Sequence, residues 1–462
     1  MKVNVTKITG FSTDLGISGL RFDFILDPDD VSESSGTNAG GGKIQLMSNY
    51  CHFYFPFDIK IPHPDLCAFA ALKIISPYIG NTLTMDRGIS NDFSEAIKKE
   101  YPKIKNINVD NDLQPVANLE KSGSAVSFSG GVDSIAAAAL LGPETPLIMM
   151  ARTFHPEIGE FEKWNNPRAQ IKTLQYMPFN YKKILVYSDF TYLSTNGKFC
   201  IYPDTYAFTT PAILLSEQLG INDLITGDIL AAFTGNESIY SPNLESRSKN
   251  FFASIGINLD YPCNGVSELI TTKIAKSFGF LDISSACEYG DFQKPCMKCI
   301  KCFRKSIYKW ALFNEKLTDK EIDNFNNSPA IINFANGEER KNLYFMASFK
   351  YCFTNIDHVF TGSIEKIRLR AMKYNAPFSW VDKKYPDAYK NRKPIINKII
   401  PILSNYTVDM QEWDIDAFKQ LNWKKTVFNT MRGFPALLTH NIEQSPTWSK
   451  TNINLLLLLI KT

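Results

Sequence analysis

The stretch SGSAVSFSGGVDSIAAAALL, residues 122–141, constrains this chain more than any other. Residues 125–128 are mostly apolar and read as a strand. Ser129, Gly130, Gly131, Val132, Asp133 and Ser134 read as a turn, and 134–141 open an Ala/Leu helix. A strand that passes into a helix through paired glycines can wrap a polyphosphate, because glycine reaches φ > 0 and lets the backbone approach a ligand. The N–H groups at the head of the helix then point at the anion, helped by the helix dipole and the serine hydroxyls. No lysine follows the glycines, so the GxxxxGK[ST] pattern is absent. The turn therefore suits a phosphate group that departs as pyrophosphate better than a γ-phosphoryl group clamped for transfer.

The surroundings of the turn are consistent with that use. Strand-like stretches at 146–150, 183–187 and 223–226 alternate with helix-like stretches at 167–177, 203–219, 242–255 and 267–278. This succession predicts a parallel sheet with helices on both faces, an α/β architecture. Ligands in such sheets bind beyond the carboxyl ends of the strands, where the turn lies. The same rule nominates Asp228 as a contact for magnesium or substrate; a helix cap or a solvated loop acid is the alternative.

SGGVDS resembles, residue for residue, the signature of the ATP pyrophosphatase family with the adenine nucleotide alpha-hydrolase-like fold. The resemblance implies a loop that binds ATP and an enzyme that adenylates an acceptor oxygen and releases pyrophosphate. It implies catalytic roles for Asp133 and Ser134, with Ser129, Gly130, Gly131, Val132, Asp133 and Ser134 holding ATP; Asp228, nominated by the strand-end rule, joins them as the magnesium or substrate contact.

A second constellation follows. Cys287, Cys296, Cys299 and Cys302 have the spacing Cys-x8-Cys-x2-Cys-x2-Cys. Short spacers let neighbouring thiolates converge on one ion, and the longer excursion brings the fourth from another loop, which predicts a tetrahedral zinc site. With four protein ligands no coordination position stays open, so the metal is structural. An iron–sulfur cluster is the competing reading. Lys294, Lys298 and Lys301 offset the thiolate charge, while Cys51, Cys67, Cys200, Cys263 and Cys352 read as buried apolar residues. The nine cysteines are an odd count, and the N-terminus MKVNVTKITGF has no apolar signal core; both point to a reducing cytoplasm.

The glycine turn followed by this cysteine pattern is similar to the 7-cyano-7-deazaguanine synthase family over roughly residues 122–310. That resemblance implies ATP, magnesium and structural zinc. It also implies a deazapurine carboxylate, 7-carboxy-7-deazaguanine, activated as an acyl adenylate and captured by an amine. The departures fall on the substrate elements. Pro203, Asp204, Thr205 and Tyr206 replace Pro-x-Arg-Asn; 239–247 replace Gly-Tyr-Pro-Asp-Cys-Arg; Ser267, Glu268, Leu269 and Ile270 replace Ser/Thr-Lys-x-Glu. Arg247 is a candidate carboxylate contact or a solvated helix arginine.

Relatives with added domains are associated with anti-phage defence islands. In that setting the activated deazapurine is joined to a protein or nucleic acid, with other defence subunits as partners. Two alternatives stay open: a tRNA sulfur-transfer enzyme, for which Cys200 and Cys263 are the candidate thiols, and a non-catalytic ATP-binding subunit of a defence complex.

The remaining chain frames this centre. Residues 1–120 read as a small α+β domain, with strands at 3–8, 20–26, 43–47 and 51–61 and a helix at 65–76; His52 and His63 read as structural or exposed. Residues 121–313 form the ATP pyrophosphatase-like domain, and 314–462 a mainly helical extension. Fifty basic and 47 acidic residues, net +3, are too balanced to argue for a nucleic-acid or membrane surface, and the longest apolar run, 455–460, is far short of a membrane span. A basic zone around Arg368, Arg370, Lys373 and 383–393 carries Trp380, Tyr385 and Tyr389; interleaved acids favour a solvated face over a nucleic-acid contact.

Overall fold

A computed structural model describes residues 1–373, apart from 10–17, 36–42, 154, 159–166, 198–199, 201, 205, 230–241, 264–265, 285–286, 288 and 338–342. The basic residues at 383–393, the predicted helix at 394–403 and the apolar run 455–460 lie outside the described residues, as do Ile239, Tyr240, Ser241 and the Arg247 side chain.

In chain order the strands are β1 (Lys2–Thr9), β2 (Ser18–Ile25), β3 (Glu33–Ser35), β4 (Lys43–Leu46), β5 (Tyr50–Phe55), β6 (Thr82–Met85), β7 (Asn106–Ile107), β8 (Gly123–Ser127), β9 (Leu147–Arg152), β10 (Lys183–Ser188), β11 (Ser194–Thr195), β12 (Ile221–Ile225) and β13 (Asn258–Asp260). One ten-stranded sheet runs β13-β12-β8-β9-β10-β5-β2-β1-β6-β7, and β11-β4-β3 form a small second sheet. The large sheet is parallel from β13 to β10, antiparallel through β5, β2 and β1, and parallel again at β6 and β7. The chain has an α/β fold with a mixed, mostly parallel sheet.

Alternation along the strands makes two cores, because successive side chains of a strand point to opposite faces. Ala125, Ile148 and Leu224 join one cluster; Val126, Leu147, Met149 and Ile225 join the other. The first core is covered by the helices Pro64–Ile75, Thr210–Leu219 and Pro242–Ala253, and the second by Val132–Leu141, Glu268–Ser277 and Ile300–Phe313. Helices therefore lie on both faces, as the alternation of elements predicts. Among the described residues no helix is long and apolar enough to cross a membrane.

The N-terminal segment is built into this sheet. Tyr54 and Phe53 of β5 pair with Tyr187 and Ser188 of β10, and Phe69 of the first helix stacks on Phe251 with centroids 4.5 Å apart. This junction also explains one departure from the sequence expectation. The helix predicted from 203 begins at Thr210, because the preceding residues turn inward. Asp204 pairs with Lys73 at 3.2 Å, where Lys73 is 2% exposed among Phe69, Phe251 and Phe252, and the Tyr206 and Tyr261 hydroxyls meet at 2.8 Å. A lysine buried this deeply needs a carboxylate partner. Asp204 is held by the core.

Beyond Phe313 the helices Asp319–Asn326, Pro329–Asn336, Leu343–Asn355 and Gly362–Met372 pack on Ile300–Phe313 through Phe303, Phe325, Phe334 and Phe349. Thr318 and Glu321 close a capping box at the first of them. The helix at 329–336, which the sequence reading passes over, starts on a proline and stops on Gly337 at φ +83°.

Candidate functional site

The parallel strands run β13-β12-β8-β9-β10. Numbered in chain order from β8 this is 5-4-1-2-3, the doubly wound arrangement whose switch point falls between the first and fourth strands. At such a point the connections leaving neighbouring strands go to opposite faces and ligands bind beyond the carboxyl ends; here the helix after β8 covers the second core and Pro242–Ala253, which follows β12, the first. The turn after β8 is Ser129–Ser134, and the loop after β12 is Thr226, Gly227 and Asp228. The sequence-predicted phosphate turn and Asp228 are thus neighbours at the switch point, the two lips of the expected ligand site, where Gly227 packs against the backbone of Asp133 and Ser134.

Within the turn, Gly130 has φ +74°, the left-handed region that favours glycine. Gly131 caps the helix Val132–Leu141 and supplies no side-chain acceptor. The first N–H groups of a helix have no partner inside it, so they are left for a ligand. The serines hold the loop's shape: Gly131 N–H donates to Ser129 Oγ at 3.3 Å, Ser129 Oγ donates to Ser134 Oγ at 3.1 Å, and Ser134 Oγ donates to the Gly131 carbonyl at 2.9 Å. A concave run of amides on a rigid turn can take a phosphate.

Asp133 points away from the turn. Its carboxylate accepts from Thr271 Oγ1 at 2.5 Å, on the helix Glu268–Ser277. Burial, with Glu268 nearby, pushes the Asp133 carboxyl up to about 7, against the opposing pull of the Thr271 hydrogen bond, Lys305 and Arg304. Arg304 donates to Glu268 at 2.8 Å. Lys305 Nζ is buried with no hydrogen-bond partner among the described residues, and burial lowers its pKa. Asp133, Thr271, Glu268, Arg304 and Lys305 therefore form one polar layer between the turn and the helix that starts at the cysteines. The sequence singles out Asp133, and Glu268 only as a departure in a substrate stretch; Thr271, Arg304 and Lys305 are not legible there, since the layer converges from three helices.

Asp133→Asn should consequently stabilise the ligand-free protein at pH 8 by about 1–3 kcal/mol and do so much less at pH 5. The folded state holds this proton more tightly than the unfolded chain. Stability from this group is therefore greatest below about pH 4 and falls as pH rises towards 7, where the buried charge exerts its full cost. Asparagine keeps the acceptor for Thr271 and carries no charge. Thermal melting of both proteins at the two pH values tests this; an equal gain at both would mean that the carboxylate is not buried at a cost.

Asp228 accepts from Thr226 Oγ1 at 2.5 Å. Asp133 and Asp228 both act on the Cys263 thiol between them, and among the described residues a group of three or more ligand side chains that could hold a metal is found at the four cysteines. Cys263 lies between the lips, its thiol 3.9 Å from the Asp133 carbonyl. Burial first, then Asp133 and Asp228, push that thiol well above its ordinary range, and Cys200 is also buried. A thiol held in this way, as Cys263 is, has little thiolate character for sulfur transfer.

At the cysteines, all four Sγ atoms lie within 4.8 Å of one another, with Cys299 and Cys302 at 3.4 Å and Cys296 and Cys302 at 3.8 Å. Four thiolates about 2.3 Å from one tetrahedral zinc would stand about 3.8 Å apart, so the spacing fits a single ion. An iron–sulfur cube would interpose irons and sulfides and spread the thiolates further. Gly290 and Cys296 N–H groups donate to Cys287 Sγ at 3.0 and 3.1 Å, and Cys302 N–H donates to Cys299 Sγ at 3.4 Å. Such amide donors favour thiolates over thiols. Cys299 caps the helix Ile300–Phe313, and Met297, at φ +52°, turns the chain between ligands. The group could bind a metal such as zinc.

No curated protein matches the chain. The model of a family of unknown function, DUF6395, matches residues 247–422, a span that holds the four cysteines and the polar layer's Glu268, Arg304 and Lys305 and begins beyond the glycine turn.

Proposed function

We propose that the chain is an ATP-dependent enzyme of C–N bond formation. It binds ATP on the turn at 129–134, adenylates a carboxylate with release of pyrophosphate, and yields the acyl adenylate to an amine. The observation that supports this most is the left-handed glycine turn, rigid and uncapped, at the switch-point crevice of a doubly wound sheet. Amides fixed in advance around a departing pyrophosphate stabilise its charge without reorganisation. The fold in this reading is that of the adenine nucleotide alpha-hydrolases, with Asp228 as the carboxylate available to magnesium and Asp133, held by Thr271, positioning the head of the helix that carries the turn.

The resemblance to the 7-cyano-7-deazaguanine synthase family names 7-carboxy-7-deazaguanine as the acid to try first. The changed substrate stretches favour a protein or nucleic-acid amine over ammonia, in a role in anti-phage defence. The cysteine-bound metal holds the helix carrying Arg304 and Lys305, a structural task for a site with four protein ligands.

Pyrophosphate release from ATP, with and without 7-carboxy-7-deazaguanine, tests the reading. Release should depend on the acid and fall about 100-fold or more in Asp133→Ala. Bound ATP with no acid-dependent release would sink this choice of substrate and turn attention to a non-catalytic nucleotide-binding role.

A further inference from the structure

The carboxyl edge of the parallel strands carries a second polar constellation, two strands along from the glycine turn. Asp189 is the first residue past β10, at the same edge as the turn after β8. It is 1% exposed, and both oxygens are committed to one neighbour: Oδ1 accepts the His52 backbone N–H at 2.6 Å, and Oδ2 lies 2.8 Å from His52 Nδ1. A carboxylate at that distance accepts the Nδ1 proton, which leaves Nε2 of neutral His52 with its lone pair. Nε2 has no hydrogen-bond partner among the described residues, and it is not among their fully enclosed polar atoms.

His155, which follows β9, supplies the contrast. Its Nδ1 accepts from Glu157 N–H at 3.2 Å and its Nε2 donates to the Tyr50 carbonyl at 3.1 Å, so both nitrogens are occupied in a structural role. His52 uses one nitrogen and keeps the other.

His52 also lies on a distinctive face. Cys51, Phe53 and Phe55 of β5 enter the first core, so Tyr50, His52 and Tyr54 share the opposite face, where Arg21 of β2 pairs with His52. His52 stacks on Tyr54 with centroids 5.7 Å apart and meets Tyr50 edge-on at 5.3 Å, while Arg21 covers Tyr50 at 4.1 Å. The titratable and charged groups around the imidazole are therefore Asp189 after β10 and Tyr50 and Tyr54 on β5, with Arg21 on β2 and, beyond β9, His155 and Glu157 gathered around Tyr50. With strands about 4.8 Å apart, β5 stands about 14 Å from β8, within reach of a nucleotide laid across the strand ends.

We propose that the His52–Asp189 pair is the general base of the second half-reaction, with Asp189 positioning the imidazole. This rests on the adenylation reading above. The incoming amine attacks the acyl carbon, the C–N bond forms, and the bond from that carbon to the phosphate oxygen breaks, with AMP leaving on its electron pair. The proton lost from nitrogen passes to His52 Nε2 and then to solvent. The N-terminal strands thereby contribute a working residue to a site whose nucleotide turn belongs to the following segment.

The test separates the two half-reactions in the full-length protein with ATP and 7-carboxy-7-deazaguanine. Exchange of labelled pyrophosphate into ATP reads adenylation; acid-dependent AMP formation with ammonium chloride or hydroxylamine reads capture. His52→Gln and Asp189→Asn should keep exchange within about threefold of wild type and lose about 10²–10⁴ in capture. Capture retained in both variants, or exchange lost in step with capture, overturns the proposal. So does a collapse of melting temperature in both, which would assign the pair to the core, and so does a wild type that exchanges without capture. A wild type without exchange fails at adenylation itself, so that outcome is read separately from the base.

Discussion

Cys302→Ala should yield a protein that purifies without its metal and is less stable by more than about 4 kcal/mol, a size reached when a metal site is lost. Cys302 has close sulfur neighbours on both sides, at 3.4 and 3.8 Å, and sits in the first turn of the helix Ile300–Phe313. The next residue, Phe303, packs on Phe325 and Phe349 with centroids 5.3 and 5.4 Å away. A fault at Cys302 therefore reaches the C-terminal helices directly.

The segment leading to it has little else to hold it. Between Cys287 and Cys299 the regular pairing among the described residues is an isolated bridge from Asp291 to Lys294, and Phe292 is the buried large apolar side chain. Metal binding free energy in such loops is folding free energy. Metal per chain by native mass spectrometry, melting temperature, and protease cutting within 287–299 together read the effect. About one zinc in wild type and none in the variant, with new cuts in that segment, is the expected result. Unchanged metal content and melting would mean that the four sulfurs converge without an ion. Visible absorption in wild type would replace zinc with iron.

Local patterns carried the central part of the architecture into the sequence. The Ala/Leu run after SGGVDS and the short apolar runs at 125–128, 146–150 and 183–187 locate β8, β9, β10 and the helix Val132–Leu141 because each is decided by its own local composition. The four cysteines are legible for the same reason: their spacing is local. What the sequence could not supply is pairing between distant segments. His52 and Asp189 are 137 positions apart and meet because β5 joins the edge of β10, a long-range choice that composition does not encode. Asp204 illustrates the reverse. Its pairing with Lys73 overrides the local helix signal from 203 onward, and that pairing exists because the N-terminal helix packs on the α/β core. Short strands such as Thr82–Met85 and Asn258–Asp260 have too few residues for alternation to register.

Gly227→Ala should cost about 1–3 kcal/mol of stability, the ordinary range for an overpacked backbone contact, and should weaken ATP binding at least tenfold. A Cβ at Gly227 would stand 2.6 Å from Ser134 N and 2.8 Å from both Asp133 C and Ser134 Cα, all backbone atoms of the helix's first turn. No side-chain rotation relieves such a clash. Either the loop after β12 withdraws or the head of the helix moves, and the second displaces the amides proposed to hold phosphate. Tolerances at such sites are small, since a misplacement of about 1 Å can cost about 100-fold in a reaction. Gly220→Ala is the control, because it too changes a glycine beside β12, at φ +63°, with no heavy atom within 4 Å of its added Cβ. Backbone strain should lower its melting temperature while leaving nucleotide affinity near wild type. Isothermal titration with ATP and thermal melting of the three proteins separate the two effects. Equal nucleotide affinity in all three would remove the loop after β12 from the phosphate site; loss confined to Gly227→Ala would place both lips of the switch-point crevice around one ligand.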